Sequence, residues 1–254
     1  MKNFIGLFIA ILVALLGTVG IAHAITNGEP DNDGHPYVAF ITDGQFGCSG
    51  AAISEQVIVS AAHCFDESVT NVIVTFDPDV TGNSAEFHTG AWHPDPDFCH
   101  IDDCPAQPDV YTHDLAVVVL DNPVSLSRYA QLPTEGLVDT LPMKKVVTIV
   151  GYGVHEFAQG LPDQEITRFF ALTNLVPGND VKSDDFIKLA ASGKKKGGVC
   201  FGDSGGPDLL GDTDTILAVN SFGGDVVCQS VAWSYRIDTE TARSFLSGFG
   251  VDLP

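Results

Sequence analysis

The chain has 254 residues, 44% of them hydrophobic, and its 33 acidic side chains against 12 basic ones give a formal net charge of −21. So acidic a surface excludes nucleic acid and anionic membranes as expected partners, since both would be repelled; solubility, or association with basic proteins, fits it. The chain opens Met1-Lys2-Asn3, runs almost unbroken through apolar residues from Phe4 to Ala22, and then reads Ala22-His23-Ala24. A basic start, an apolar core and a small-x-small site predict a secretory leader over residues 1–24. The other reading of an apolar stretch of this length is an uncleaved membrane anchor. Export fits the six cysteines, an even number that argues for disulfides. The expected mature product is secreted and monomeric, with no membrane association once the leader is gone.

Residues 25–254 are too many for one small module and suit two compact β-barrels that share an interface. β-branched runs recur in chain order at Val57 to Ala62, Val72 to Phe76, Leu115 to Leu120, Val146 to Val150 and Ile216 to Asn220, with turn residues between them. That is an all-β pattern. The turn-rich stretch from Asp121 to Pro142 predicts the junction. The expected division is 25–130 for the first barrel and 131–254 for the second. After Asp238, the residues Ala242, Phe245, Leu246 and Phe249 fall at helical spacing, with Asp238 or Thr239 to cap the start and Gly248 or Gly250 to end it.

Three segments carry chemistry. Val59-Ser60-Ala61-Ala62-His63-Cys64 ends a strand-like run in a histidine, and His113-Asp114-Leu115-Ala116 opens one with an aspartate. Cys200-Phe201-Gly202-Asp203-Ser204-Gly205-Gly206-Pro207 places a serine between glycines. Glycines permit a tight turn that exposes the Ser204 hydroxyl and aims the N–H groups of Gly202 and Ser204 at one point. An acyl-transfer nucleophile and its oxyanion hole need such a turn.

In these boxes, in their order His63, Asp114, Ser204, and in Ser221-Phe222-Gly223, the chain resembles the chymotrypsin-like (trypsin-fold) serine endopeptidases. The resemblance implies an all-β fold of two six-stranded antiparallel β-barrels with a C-terminal helix. It also implies hydrolysis of protein or peptide substrates without a cofactor. Ser204 would be the nucleophile, His63 the base, Asp114 the group that orients the imidazole, and Gly202 and Ser204 the oxyanion donors. In this family an apolar residue freed by proteolysis inserts its ammonium against the aspartate before the nucleophile. Here those residues would be Ile25, exposed by cleavage after Ala24, and Asp203. Thr26 and Asn27 depart from the family's usual apolar residue and glycine. No propeptide stands between the leader and Ile25, so removal of the leader itself is expected to mature the enzyme.

The cysteines alone permit fifteen connectivities. The resemblance implies Cys48–Cys64 and Cys200–Cys228. Cys99 and Cys104 remain and are expected to close a short loop. A metal site with His93 and His100 is the alternative, although the spacing fits no zinc pattern. The resemblance also places Gly198, six residues before the nucleophile, at the pocket base beside Val199, with Ser221, Phe222 and Gly223 as one wall and Ala232 on the far side. An uncharged pocket with a small floor implies an apolar residue before the cut.

Calcium on Asp77, Asp79 or the acidic cluster Asp95, Asp97, Asp102 and Asp103 is conceivable, but no EF-hand spacing occurs and a solvated acidic face is expected. Lys194-Lys195-Lys196 is either a basic rim for acidic substrate stretches or a hydrophilic loop. The other histidines (His35, His88, His93, His100, His113 and His155) read as surface or loop residues. The competing function is a catalytically silent secreted binding protein on the same fold. Esterases with this chemistry usually run Ser, Asp, His along alternating strands and helices, an order absent here.

Overall fold

The computed structural model describes residues 25, 28–81, 85–100, 104, 112–154, 157–158, 161–162, 166–177, 185–190, 197–223 and 228–254. The expected leader, Lys194 to Lys196, Asp102, Asp103 and His155 lie outside these residues. The first barrel contains β2 (Val38–Thr42), β3 (Gly47–Ala52), β4 (Val57–Ser60), β5 (Asn71–Thr75), β6 (His88–Pro94) and β7 (Ala116–Leu120). It closes in the order β2-β3-β4-β7-β6-β5, entirely antiparallel. Its strands are rich in β-branched residues that suit a pleated, buried surface. Val38, Ile41, Ile58, Val59, Val74, Val117 and Val118 are almost completely buried.

The second half forms a seven-stranded antiparallel sheet. It contains β1 (Glu29–Pro30), β8 (Val146–Gly151), β11 (Phe169–Asn174), β12 (Phe186–Leu189), β13 (Pro207–Leu210), β14 (Ile216–Gly223) and β15 (Ala232–Arg236), in the order β1-β11-β8-β13-β14-β15-β12. Two short strands, β9 (Phe157–Ala158) and β10 (Leu161–Pro162), pair only with each other. The regular ladder leaves β11 and β12 at separate positions in the order. A bridge from Leu175 to Leu189, flanked by Val176 N–H to Lys188 and Ala190 N–H to Asn174, joins their ends. The second barrel is thus drawn together by a local bridge, where the first closes by a full ladder. The seventh strand, β1, comes from the front of the chain and pairs with β11.

The expected helix is α1 (Glu240–Ser247). Thr239, not Asp238, caps it by accepting the Ala242 N–H at 3.3 Å. Ala242 and Leu246 bury against the larger core cluster, which runs through both halves of the chain. Among the described residues no helix is long and apolar enough to cross a membrane.

Arg168 fastens the halves together. It is fully buried, yet its donors are used: Nε to Asp31 at 2.8 Å, Nη1 to the carbonyls of Val38 and Phe76 at 3.0 and 2.9 Å and to the Tyr152 hydroxyl at 3.1 Å, and Nη2 to Asn32 at 2.9 Å. A buried charge is tolerated when paired and hydrogen-bonded in this way. His35 lies in the loop before β2, half-buried, and packs against Asp31 with a short ring-to-carboxylate contact. His88 and His93 stand on strand β6, His88 half-buried and His93 exposed at the surface.

Candidate active site

β4 ends at Ser60, and one 3-10 turn, Ala62–Cys64, swings His63 into the seam between the barrels. The disulfide Cys48–Cys64 ties this turn to β3. Asp114 sits just before β7 and is fully buried. Ser204 comes from the turn that leads into β13. The three converge: Ser204 Oγ lies 2.9 Å from His63 Nε2, and His63 Nδ1 lies 2.8 Å from Asp114 Oδ2. Asp114 Oδ1 also accepts the His63 backbone N–H at 2.9 Å. Nδ1 is therefore the protonated nitrogen, leaving the Nε2 lone pair to accept from the serine hydroxyl.

A further donor was assigned elsewhere from sequence. Ser221, expected only in the pocket wall, gives its hydroxyl to Asp114 Oδ2 in a short hydrogen bond. Burial pushes the Asp114 carboxyl up, but the facing His63 and the donors from His63 and Ser221 outweigh it and hold the group below its usual range. The base is thus backed by a carboxylate that stays ionised.

The nucleophile turn is held by the first barrel. Ser49 of β3 donates its backbone N–H to the Ser204 carbonyl and its hydroxyl to the Gly202 carbonyl, both at 2.8 Å. Its hydroxyl oxygen accepts the Tyr152 N–H at 2.9 Å. Gly202 adopts φ +96° and Gly205 φ +76°. At Gly205 a Cβ would also lie 2.1 Å from Ser60 Oγ, so both backbone angle and space demand glycine. Within the turn the N–H groups of Asp203, Gly205 and Gly206 bond to Cys200, Asn220 and Asp203 carbonyls. Those of Gly202 and Ser204 donate to no acceptor among the described residues. Unspent donors on such a turn are what an oxyanion hole requires.

Behind the turn, Asp203 is fully buried and accepts the N–H groups of Gly153 and Cys200, each at 2.9 Å. Burial pushes its carboxyl up to about 7, against the pull of those two bonds. Ile25 is also fully buried, in the cluster that fills the second barrel, and holds φ +34°. A β-branched residue is strained there.

The residues expected to form the specificity pocket lie in the second half of the chain. Gly223 pairs with Ala232 and has nothing within 4 Å of an added Cβ, so that wall is open. The register of β14 shifts between Asn220 and Phe222, and Phe222 stacks on Trp233 with centroids 5.2 Å apart. Gly198 is buried, while Val199 and Ala232 pack in the cluster that holds Ile25. Disulfide Cys200–Cys228 joins the two walls, and Cys99–Cys104 closes a short loop. Two exposed aromatics, Phe46 and Phe201, line a cavity of about 290 Å³ next to Gly202, and Phe46 also borders the groove beside His63.

Of the acidic groups expected as possible calcium ligands, Asp79 caps a local turn by accepting the Thr81 N–H, and Asp77 accepts the N–H of Glu86, nine positions on. Asp95 and Asp97 join His113, not considered from sequence, with donor atoms all within 4.8 Å; this is the one group of metal-ligand type among the described residues.

The trypsin family model matches residues 25–240. Brachyurin of Leptuca pugilator is 30% identical over 84% of this chain and 89% of its own length. A trypsin of Sarcophaga bullata is 26% identical over the whole of both chains. In fold, the chain is similar to HL collagenase, with a TM-score of 0.70 at 20% identity, covering 89% of this chain and 99% of that one. It is equally similar to human heparin binding protein, with a TM-score of 0.69 at 19% identity over 90% and 98%. Members of this family carry out their chemistry with side chains and need no cofactor. The sequence match and the architecture agree: the chain belongs to the trypsin family and has the fold of the chymotrypsin-like serine proteases.

Proposed function

We propose that the protein is a secreted, monomeric serine endopeptidase, exported by its leader 1–24 and cutting peptide bonds after an uncharged apolar residue. The hydrogen-bonded chain Ser204–His63–Asp114 carries this reading. His63 Nε2 takes the Ser204 proton as Oγ attacks the scissile carbonyl. The carbonyl oxygen, gaining charge, meets the N–H groups of Gly202 and Ser204. Protonated His63, steadied by Asp114, then gives the proton to the departing amine, and water repeats the sequence to release the acid.

Cleavage before Ile25 supports the same reading. φ is defined through the preceding carbonyl, so a chain that starts at Ile25 no longer has the strained angle. The freed ammonium then offers buried Asp203 a partner. The boundary at 130/131 separates the residues that carry His63 and Asp114 from those that carry Ser204. The backbone of Ser221 to Gly223 offers substrate an edge to join as an added strand, Gly198 and Val199 supply a small, uncharged floor, and Ala232 stands on the far wall. Cleavage of a peptide library by the chain beginning at Ile25, with Ser204→Ala as control, tests this. Cuts after apolar residues that vanish in the variant are expected; no cuts, or cuts that survive the variant, would overturn it.

A further inference from the structure

Asp208 is the one fully buried carboxylate among the described residues with both oxygens lacking a hydrogen-bond partner. It is the second residue of β13, in register with Ile149 of β8 and Ala218 of β14. Directly paired residues project to the same side of a sheet. Ile149 and Ala218 belong to the cluster that fills the second barrel, and so does Ile25. Asp208 therefore points into the interior where Ile25 lies. No ion pair to it forms among the described residues.

The groups that face it are few. β8 presents Ile149. β14 presents Ala218 and Asn220. β15 presents Arg236, directly paired with Ala218 and so in the same cross-strand row as Asp208, its guanidinium engaged by Asp238 and Asp139, and Ser234, paired with Asn220 and with Ile187 of β12. The nucleophile turn presents Asp203. Burial pushes Asp208 up to about 8, the nearby Asp203 charge adds to this, and the Ser234 hydroxyl opposes it. A carboxyl kept from ionising by burial and by a like charge lacks only a cation.

We propose that Asp208 is a second acceptor for the Ile25 ammonium, so that the new amino terminus is held between Asp203 on the nucleophile turn and Asp208 on β13. This rests on the reading above that the chain is cut before Ile25. In that cut a processing peptidase breaks the Ala24–Ile25 amide with one water, leaving a carboxylate on Ala24 and an ammonium on Ile25. Asp208 is a positioning residue: it touches no reacting atom and acts by keeping the amine charged and seated as pH rises.

The test uses the chain beginning at Ile25, as wild type, Asp208→Asn and Asp208→Leu. The first readout is the alkaline limb of kcat/KM on two peptide substrates, one with an apolar and one with a basic residue before the cut. An unperturbed α-amine titrates near 7.7–8.0, and both carboxylates raise that value. Either substitution is expected to move the limb down by about one unit, roughly a tenfold loss at high pH with a smaller loss at neutral pH. The second readout needs no activity: carbamylation of the Ile25 amine by cyanate, followed by mass spectrometry, is expected to run several-fold faster in both variants. An unmoved limb together with an unchanged labelling rate would overturn the proposal. So would a change confined to cleavage after Lys or Arg, which would assign Asp208 to a substrate cation. An inactive wild type would defeat the proposed function, and the labelling rates would still decide the role of Asp208.

Discussion

Asp114 at the seam and Asp208 inside the second barrel are equally inaccessible, and their surroundings differ in every other respect. Asp114 receives donors from the His63 backbone, the His63 ring and Ser221, and is held below its usual range. Among the described residues neither Asp208 oxygen accepts a hydrogen bond at bonding distance, the nearby Ser234 hydroxyl only tempers the effect of burial, and the carboxyl is pushed up to about 8. Burial is common to both; the facing His63 together with the donors holds Asp114 ionised, whereas the charge nearest Asp208 is the like charge of Asp203. The first barrel is an apolar, fully laddered frame that delivers a satisfied base–acid pair to its rim. The second carries two buried carboxyls, Asp203 and Asp208, neither of them ion-paired among the described residues.

The largest effect that would sharpen this contrast is on the Asp114 side. Asp114→Asn keeps the shape but presents an amide N–H or a weaker acceptor to Nδ1, so turnover is expected to drop by about 10⁴ with the fold intact by circular dichroism. A loss under tenfold would mean that the carboxylate does not set the tautomer. Ser221→Ala removes one donor to that carboxylate. Hydrogen bonds to charged groups contribute about 1.5–3 kcal/mol to stability, so Tm is expected to fall by a few degrees, and kcat to fall tenfold to a hundredfold as the carboxylate holds the imidazole less well.

On the other side, Asp208→Leu in the uncleaved chain removes an unpaired buried carboxyl. It is expected to stabilise by about 1–3 kcal/mol, read as a rise in Tm of a few degrees; destabilisation would show that Asp208 is already satisfied. The smallest effect is the pH slope. Asp203 and Asp208 are raised in the folded state, so between about pH 4 and 8 the folded chain keeps protons that the unfolded chain has released. Stability of the uncleaved chain is therefore greatest on the acid side of that window and declines as pH rises through it. Tm scans should show this decline, and show it reduced in the chain beginning at Ile25.

What could be read from sequence followed from how locally each feature is encoded. His63, Asp114 and Ser204 sit in short boxes that resemble those of one family, so their meeting at one site was legible before any coordinates. The helix at Glu240–Ser247 announced itself by spacing and a capping threonine. Ser49 was not legible: a serine in an apolar strand has no local mark of the two turn carbonyls it grips. Ser221 was placed in the wall by its backbone, while its hydroxyl serves Asp114, because the two roles face different ways at the shift in β14. Arg168 reads as one cation among apolar neighbours; its partners Asp31 and Val38 lie more than 100 positions earlier. The Leu175–Leu189 bridge depends on twist, which no pattern of residues records.

The most direct test of the triad is labelling of the chain beginning at Ile25 with a fluorophosphonate, followed by peptide mapping. Modification of Ser204 alone, abolished in His63→Ala, is the predicted result. An unlabelled Ser204 in the folded protein, or labelling that persists without the imidazole, would contradict it.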